Sequence, residues 1–149
     1  MNAEDCMRMA MDEAEKAVSE GNKPFGVIVT NQDGEIVWRD HDRAFTLMDP
    51  TAHGEVNAIR HLCKELKTLR LDGYRFYTNA EPCPVCLGSM IRAKVAEVYY
   101  GAKTEVTASL PIPAELLAKY ATSHKIKIVS GILAGETLAH RIKLLGAGF

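Results

Sequence analysis

Two cysteines and one histidine are the first residues in this sequence with the types and spacing for metal chemistry. Cys83 and Cys86 lie three residues apart, and Pro82 and Pro84 suit the entrance of a helix because proline fixes φ and needs no donor there. In a first helical turn this spacing places both sulfurs on one side, within reach of one ion at a Zn–S distance of about 2.3 Å. His53 supplies a third ligand, so the set predicts one Zn²⁺ per chain.

Glu55 adds a proton-transfer group beside this predicted metal site. One imidazole and two thiolates leave the fourth tetrahedral position open for water, as a catalytic zinc site requires. Glu55 lies two residues from His53, about 200° around a helix, so the two side chains converge only off the helix end. There the carboxylate reaches the water without ligating the metal, and it can carry protons during hydrolysis.

A closed, structural zinc site is the alternative interpretation of the same ligands. Such a site needs a fourth protein ligand. The candidates are His41, His61, Cys63 and His124. None of the four lies at a sequence spacing that is typical of zinc ligands, and a closed site would leave Glu55 without a function. The pattern therefore favours an open, catalytic centre.

Helices and strands alternate around these residues. Apolar residues at helical spacing predict helices over about 3–20, over 52–66, from Pro84 onward, over 114–120, and around Leu138, Ile142 and Leu145. Runs of β-branched and aromatic residues predict strands at 25–30, 35–39, 74–78, 95–100 and 126–129. Residues 41–51 lack periodicity and are predicted to form a loop. This order predicts a layered α/β fold that begins with an antiparallel hairpin.

Length and composition narrow the class of protein. A chain of 149 residues has room for one domain, 1–149, and 47% hydrophobic with 25% charged residues is typical of a globular protein rather than a disordered one. The net charge of −1 argues weakly against nucleic-acid binding. The N-terminus has no apolar signal stretch and no apolar run approaches a membrane span, so we expect a cytoplasmic protein with reduced thiols.

Three segments of the chain resemble the cytidine deaminase-like superfamily, in the branch of guanine deaminase, fungal-type cytosine deaminase and tRNA adenosine deaminase. They are 24–29 (PFGVIV), 49–59 (DPTAHGEVNAI) and 81–88 (EPCPVCLG). The order H-x-E and then P-C-x-x-C is the signature of zinc deaminases that act on nucleobases. The resemblance extends from the first helix to about Gly101. It implies a three-layer α/β/α sandwich with a central five-stranded mixed sheet, and a homodimer.

The resemblance also implies an activity, the hydrolytic deamination of an aminated heterocycle with release of ammonia. Glu55 would take a proton from water and pass protons to a ring nitrogen and to the leaving amine. The backbone around Ala52 and Glu81 would line the edge of the pocket, and Phe25 would help to wall the flat base. The substrate class implied is a free base of guanine, cytosine, diaminopyrimidine or triazine type.

Asp42 departs from the pattern of this branch. Deaminases of the branch that act on free bases usually place an asparagine about eleven residues before the zinc histidine, where its amide reads the base. A carboxylate only accepts hydrogen bonds, so it would repel a substrate carbonyl and favour an amino or ring N–H group. We therefore expect a donor-rich diaminopyrimidine or triazine type rather than simple guanine or cytosine. The alternative is that Asp42 is a solvated loop residue in a shifted alignment.

The sequence is compatible with two other functions. Editing of tRNA adenosine to inosine needs basic surface near the pocket. The candidates are Arg39, Arg43, Arg92, Lys94, Lys125, Lys127, Arg141 and Lys143. The net charge, and a C-terminus that ends in GAGF rather than a basic tail, argue against it. A non-catalytic zinc scaffold is the other alternative, against which the intact Glu55 argues.

Two further regions bear on the pocket. The segment 103–113, with Val106, Leu110 and Ile112, is expected to decide pocket size. Phe149 could cover the site, but it is predicted to fray at the chain end.

Overall fold

The computed structural model describes residues 1–104 and 110–146. Val106 and Phe149, for which the sequence suggests roles at the pocket, lie outside these ranges. The helices are α1 (Ala3–Ser19), α2 (Ala44–Leu47), α3 (Gly54–Leu66), α4 (Pro84–Arg92), α5 (Ala114–Lys119) and α6 (Ala134–Gly146). The strands are β1 (Gly26–Thr30), β2 (Ile36–His41), β3 (Arg75–Ala80), β4 (Glu97–Ala102) and β5 (Lys127–Val129). None of the described helices has the length and apolar character to cross a bilayer.

The five strands form one mixed sheet in the order β2-β1-β3-β4-β5. β1 pairs antiparallel with both β2 and β3, while β3, β4 and β5 are parallel. A short turn joins β1 to β2, with Gly34 at φ 79° and the Asn31 side chain accepting from the backbone N–H groups of Asp33 and Glu35. Parallel neighbours need a longer crossover, which α4 and α5 provide. The expected five-stranded mixed sheet is confirmed.

Each face of the sheet carries its own apolar core. Along β1 the side chains alternate, so Val27 and Val29 pack on the face covered by α3, α4 and α5. Ile28 points to the opposite face, where α1 and α6 lie and where it packs with Met7 and Tyr77. Helices on both faces of a central sheet give the three layers that the sequence predicts.

A close contact between α1 and β1 fixes the segment that carries Phe25. A Cβ atom at Gly26 would overlap the carbonyl oxygen of Ala10 and lie 2.8 Å from the backbone nitrogen of Ala14. The helix backbone therefore rests directly on the strand, which only glycine permits. Asn79 at the end of β3 secures the same segment, because it accepts from the N–H of Gly26 at 2.9 Å and donates to the carbonyl of Pro24 at 3.0 Å.

The predicted loop over 41–51 contains one helical turn, α2, and this part of the prediction is wrong. The Asn22 side chain, distant in sequence, accepts from the backbone N–H groups of Phe45 and Thr46 at 2.9 and 3.2 Å. Asp42 accepts from the N–H of Ala44 at 3.2 Å. These tertiary contacts satisfy the first N–H groups of the turn, and a periodicity search cannot detect them.

The last helix turns a different face to the sheet than its apolar spacing indicates. Leu138, Ile142 and Leu145 are exposed, whereas Thr137 and Arg141 are buried. Thr137 accepts from the N–H of Ala102 at 2.9 Å. The helix therefore docks through polar side chains onto backbone groups at the end of β4, which inverts the usual amphipathic arrangement.

Candidate metal centre

The three predicted metal ligands lie at the beginnings of two neighbouring helices. His53 is the N-cap residue of α3, with extended backbone at φ −70° and ψ 154°. Cys83 is the N-cap residue of α4, and Cys86 lies in the first turn of that helix, after Pro84. Because α3 and α4 pack side by side on one face of the sheet, residues thirty positions apart meet at one point.

The donor atoms are spaced as one tetrahedral zinc ion requires. His53 Nδ1 lies 3.3 Å from Cys86 Sγ and 3.7 Å from Cys83 Sγ, and the two sulfurs are 3.5 Å apart. Zn–S bonds of about 2.3 Å and Zn–N bonds of about 2.0 Å at tetrahedral angles give separations of roughly 3.5–3.8 Å. The three residues present therefore fit zinc, in a set with three protein ligands.

The fourth-ligand candidates are engaged elsewhere. His41 lies between Glu13 and Glu20, and the His61 ring stacks on Trp38 at a centroid distance of 3.4 Å. His124 Nε2 lies 2.7 Å from the carbonyl oxygen of Val95. Among residues 1–104 and 110–146, the candidate group consists of His53, Cys83 and Cys86, without Cys63. The open site, rather than the closed one, is what the described residues form.

Hydrogen bonds among the ligands set their ionisation. The hydrogen bond between the Cys83 and Cys86 sulfurs lowers the pKa of Cys83 to about 4, with a further contribution from His53. The same bond, together with burial, raises the pKa of Cys86 above its ordinary value. The bond to Cys83 raises the pKa of His53 to about 9. Cys83 is therefore already a thiolate near neutral pH, whereas metal binding must release the protons held by Cys86 and His53.

Glu55 is buried at the edge of the ligand set, in the first turn of α3. Burial raises the pKa of its carboxyl group, although the positive charge of His53 opposes this effect and the Cys86 thiol hydrogen-bonds to it. A carboxyl group with a raised pKa holds a proton more readily than an exposed one, so it can both accept and return a proton. The arrangement therefore suits proton transfer next to a metal.

Asp42 is buried near the metal ligands, with 3% of its surface exposed. One oxygen accepts from the backbone N–H of Lys23 and the other from that of Ala44, each at 3.2 Å. Its negative charge is among the causes that raise the pKa of His53. The alternative that Asp42 is a solvated loop residue is wrong.

The other residues predicted to contact the substrate differ in how far they are buried. Phe25 is half-buried, and the Arg141 guanidinium lies 5.8 Å from the centroid of its ring. Ala52 is fully buried, and its carbonyl accepts from the backbone of Arg43 and the side chain of Asn57. Contact of Phe25, Ala52 or Asp42 with a substrate stays a prediction.

Glu81 borders an open cavity of about 300 Å³ beside Cys83. Its carboxylate oxygens accept from the backbone N–H groups of Thr104 and Ala114. The cavity is lined by residues 81–84 on one side and by 103, 104 and 110–113 on the other. The described part of the segment 103–113 thus forms one wall of the cavity.

Two residues that support the site have no signal in the sequence that would identify this role. Asn57 donates to the carbonyls of His41 and Ala52, and so joins α3 to the chain before it. Arg141, predicted as a surface cation, is buried and donates to the carbonyls of Asn79, Ala102 and Lys103. The position of Asn57 within the motif suggests a supporting role only after the motif is recognised. Nothing in the sequence around Arg141 indicates that its side chain is buried.

An open His-Cys-Cys centre with a buried carboxylate beside it, on a five-stranded mixed sheet between helices, defines a class of metal-dependent hydrolases. Residues 1–102 match the family described as the cytidine and deoxycytidylate deaminase zinc-binding region. The chain belongs to this family of zinc-dependent hydrolytic deaminases, and its cofactor is zinc.

Several relatives share most of their length with the chain. It is 37% identical over 131 residues to the tRNA-specific adenosine deaminase of Bacillus subtilis (strain 168), which covers 87% of this chain and 80% of that protein. It is 40% identical over 104 residues to the guanine deaminase of the same organism, covering 69% of this chain and 66% of that protein. A solved structure from a study of A-to-I editing by tRNA:A34 deaminases has a TM-score of 0.81 at 28% identity, covering 91% of this chain and 98% of that one.

Proposed function

We propose that this chain deaminates a free nucleobase or a related aminated heterocycle by hydrolysis and releases ammonia. The observation that carries the substrate class is the buried carboxylate of Asp42 near His53. Each oxygen accepts one backbone N–H and keeps further lone-pair capacity. An amino or ring N–H of the substrate would satisfy that capacity, whereas a carbonyl would leave a buried polar group unpaired at a cost of about 1–3 kcal/mol. The proposal therefore favours donor-rich rings of diaminopyrimidine or triazine type over simple guanine or cytosine.

The size of the cavity beside Cys83 supports a small ligand. Its volume of about 300 Å³ is at the lower end of the range for small-molecule sites. The half-buried ring of Phe25 offers a flat apolar surface to a planar heterocycle.

The positions of the side chains support the following reaction. Zinc held by His53, Cys83 and Cys86 supplies Lewis acidity that makes water a nucleophile near neutral pH. The Glu55 carboxylate accepts a proton from a water molecule while the oxygen of that water attacks the amidine carbon of the ring, and Glu55 passes this proton to the ring nitrogen. Glu55 then takes the second proton of the former water and gives it to the amino group. The C–N bond breaks, ammonia leaves, and the oxygen of water remains in the product as a carbonyl oxygen.

A second candidate, tRNA adenosine deamination, is favoured by the 37% identity to the Bacillus subtilis tRNA-specific adenosine deaminase. The distribution of basic groups weighs against it. Arg39, Arg43 and Lys127 pair with Glu13, Asp40 and Glu97 at 3.4, 2.9 and 3.6 Å, and Arg141 is buried. Half of the eight predicted basic candidates are thus engaged within the chain, which leaves fewer for the phosphates of an RNA.

The first experiment compares the zinc-loaded protein with its Glu55→Ala variant on aminated pyrimidines, purines and triazines, and on a tRNA anticodon stem-loop. We expect ammonia release from a small base that falls by about 10²–10⁴-fold in the variant, because a positioned proton-transfer group contributes about that much. Inosine formed only in the stem-loop would replace the proposal with tRNA editing. No product from the folded, zinc-loaded protein would favour the non-catalytic scaffold.

An Asp42→Asn variant tests the substrate preference. The amide offers a donor that the carboxylate lacks, so we expect the ratio of kcat/KM for cytosine over 2,4-diaminopyrimidine to rise by about 10-fold or more, the equivalent of one buried hydrogen bond. Zinc content is the control, since Asp42 is not a ligand. An unchanged ranking of the two substrates would contradict the role of Asp42.

We also propose that the protein is a cytoplasmic homodimer. Phe45, Leu47 and Met48 project from α2 with 56%, 56% and 82% of their surfaces exposed. Neighbouring exposed apolar side chains of this kind are typical of interfaces. Cys6, Cys63, Cys83 and Cys86 form no disulfide, which suits a reducing compartment. Light scattering should give twice the mass of one chain, and a monomer would contradict the dimer.

A further inference from the structure

Glu81 joins the two ends of the segment that forms one wall of the cavity. It lies between the end of β3 and Pro82, and its own backbone is fixed by two bonds. Its N–H donates to the carbonyl of Ala102 at 3.1 Å, and its carbonyl accepts from the Thr104 hydroxyl at 2.8 Å. The backbone from which the carboxylate projects is therefore fixed by hydrogen bonds on both sides.

The two carboxylate oxygens are used at opposite ends of the segment. Oε1 accepts from the N–H of Thr104 at 3.2 Å, and Oε2 accepts from the N–H of Ala114 at 2.9 Å. Ala114 lies ten positions after Thr104, a stretch of chain that could span roughly 33–36 Å if extended. One side chain thus holds Thr104 and Ala114 near each other, and holding two points of the chain together costs conformational entropy that the two bonds offset.

The described part of this loop lines the cavity. Thr104 and residues 110–113 form the wall opposite Pro82 and Cys83. Cys83, one of the three candidate metal ligands, is also among the lining residues of this cavity. The distance between its walls therefore depends on how firmly Glu81 holds the segment.

The position of α5 itself has independent support. The Tyr100 hydroxyl donates to Glu115 at 2.6 Å, and Ala114 is buried in the core. Loss of the Glu81 carboxylate is therefore expected to release the segment without unfolding the helix.

We propose that Glu81 is a positioning residue that sets substrate size by holding the wall formed by Thr104 and residues 110–113 at both ends. This inference rests on the proposed deamination of a small heterocycle. It assigns the Glu81 side chain to the wall of the cavity, at a distance from the proton transfers that Glu55 performs.

Hydrogen exchange of the zinc-loaded protein tests the positioning without any substrate. In Glu81→Ala the amides of Thr104 and Ala114 should exchange about 10-fold faster or more, because bonds to a charged acceptor are lost. In Glu81→Gln one of the two amides should respond, since the carboxamide has a single acceptor oxygen. Tyr100→Phe is the matched control, because it removes a bond to α5 and leaves both Glu81 bonds intact. Unchanged exchange in Glu81→Ala would overturn the proposal.

Kinetics then test the consequence for substrate size. Guanine and cytosine, a two-ring and a one-ring base, are compared in the wild type and the three variants. In Glu81→Ala we expect KM to rise about 10-fold with kcat nearly constant, since loss of uniform binding raises KM alone. We also expect the guanine-to-cytosine ratio of kcat/KM to shift in Glu81→Ala and to stay constant in Tyr100→Phe.

The outcomes separate this inference from the proposed function. A fall in kcat with unchanged KM, or an unchanged substrate ratio, would overturn the role in substrate size. If the wild type deaminates neither base nor any other small heterocycle, the proposed function fails and the role in substrate size fails with it. The exchange measurement still decides whether Glu81 holds the segment.

Discussion

Two clusters of buried titratable side chains lie on either side of the beginning of α3, and they are built in opposite ways. In the metal centre, the donor atoms of His53, Cys83 and Cys86 face a common point. In the other cluster, both ring nitrogens of His41 lie on carboxylate oxygens, of Glu13 at 2.9 Å and of Glu20 at 2.8 Å. The backbone of His41 packs against Gly54, one residue after His53, so the two clusters are neighbours.

The difference shows that burial of charged groups does not by itself mark a reactive site. Every carboxylate around His41 has partners within the cluster. They include Lys16 and Arg39 on Glu13, and Trp38 and Arg43 on Asp40. Such satisfied groups contribute to stability and specificity of the fold, whereas donors that converge without a protein group between them are suited to a ligand.

A Cys83→Ser substitution should give the largest effect and sharpen the contrast. We expect the variant to lose its bound zinc, because one of the three protein ligands is removed. Ammonia release should then fall to the rate measured without enzyme. The fold should persist, since serine is a favoured residue at the N-cap position that Cys83 occupies in α4. Zinc content and the free energy of unfolding after chelation measure the two effects. A large loss of stability in the chelated variant would break the comparison.

A His41→Leu substitution should give the reverse result. It removes one partner from each of two carboxylates, Glu13 and Glu20, and leaves Glu13 buried with Lys16 and Arg39 alone. We therefore expect the free energy of unfolding to fall by about 2–4 kcal/mol. Urea unfolding measures this change. The folded fraction should retain one zinc ion per chain.

Glu20→Gln is the matched control for His41→Leu. The Glu20 side chain is 42% exposed and the amide retains an acceptor, so the loss should be less than about 1 kcal/mol. Loss of zinc from folded His41→Leu would contradict the separation of the two clusters.

The smallest effect is a pH dependence of stability in the His41 cluster. Burial raises the pKa of Glu13, but hydrogen bonds from His41 and Lys16 outweigh burial and hold that pKa below 4.5, its ordinary value. In this range the unfolded chain binds more protons than the folded one, so stability is lost as pH falls from about 4.5 through the lower folded pKa. Urea unfolding across this range should show a weaker acid dependence in Glu13→Gln than in the wild type. Equal slopes would contradict the argument.

The sequence identifies the three candidate metal ligands because their chemistry depends on local spacing, and the structure brings their donor atoms together. His53, Cys83 and Cys86 each lie at a helix entrance that proline or a motif marks, and the alternation of strands and helices predicts the layers around them. The sequence cannot predict α2, because its first N–H groups are satisfied by Asn22 from another part of the chain. The orientation of α6 is missed for a related reason. Arg141 and Thr137 bind strand-end backbone groups, a contact that apolar periodicity does not encode.

The contact between Gly26 and α1 has a consequence for engineering this protein. Phe25 is attached to a backbone that tolerates no added atom, so substitutions around it offer little freedom. The cavity wall formed by Thr104 and residues 110–113 is instead attached through the carboxylate of Glu81, and it can be lengthened, shortened or released by changes at its two ends. Libraries aimed at other substrates should therefore leave Phe25 constant and vary the residues between Thr104 and Ala114.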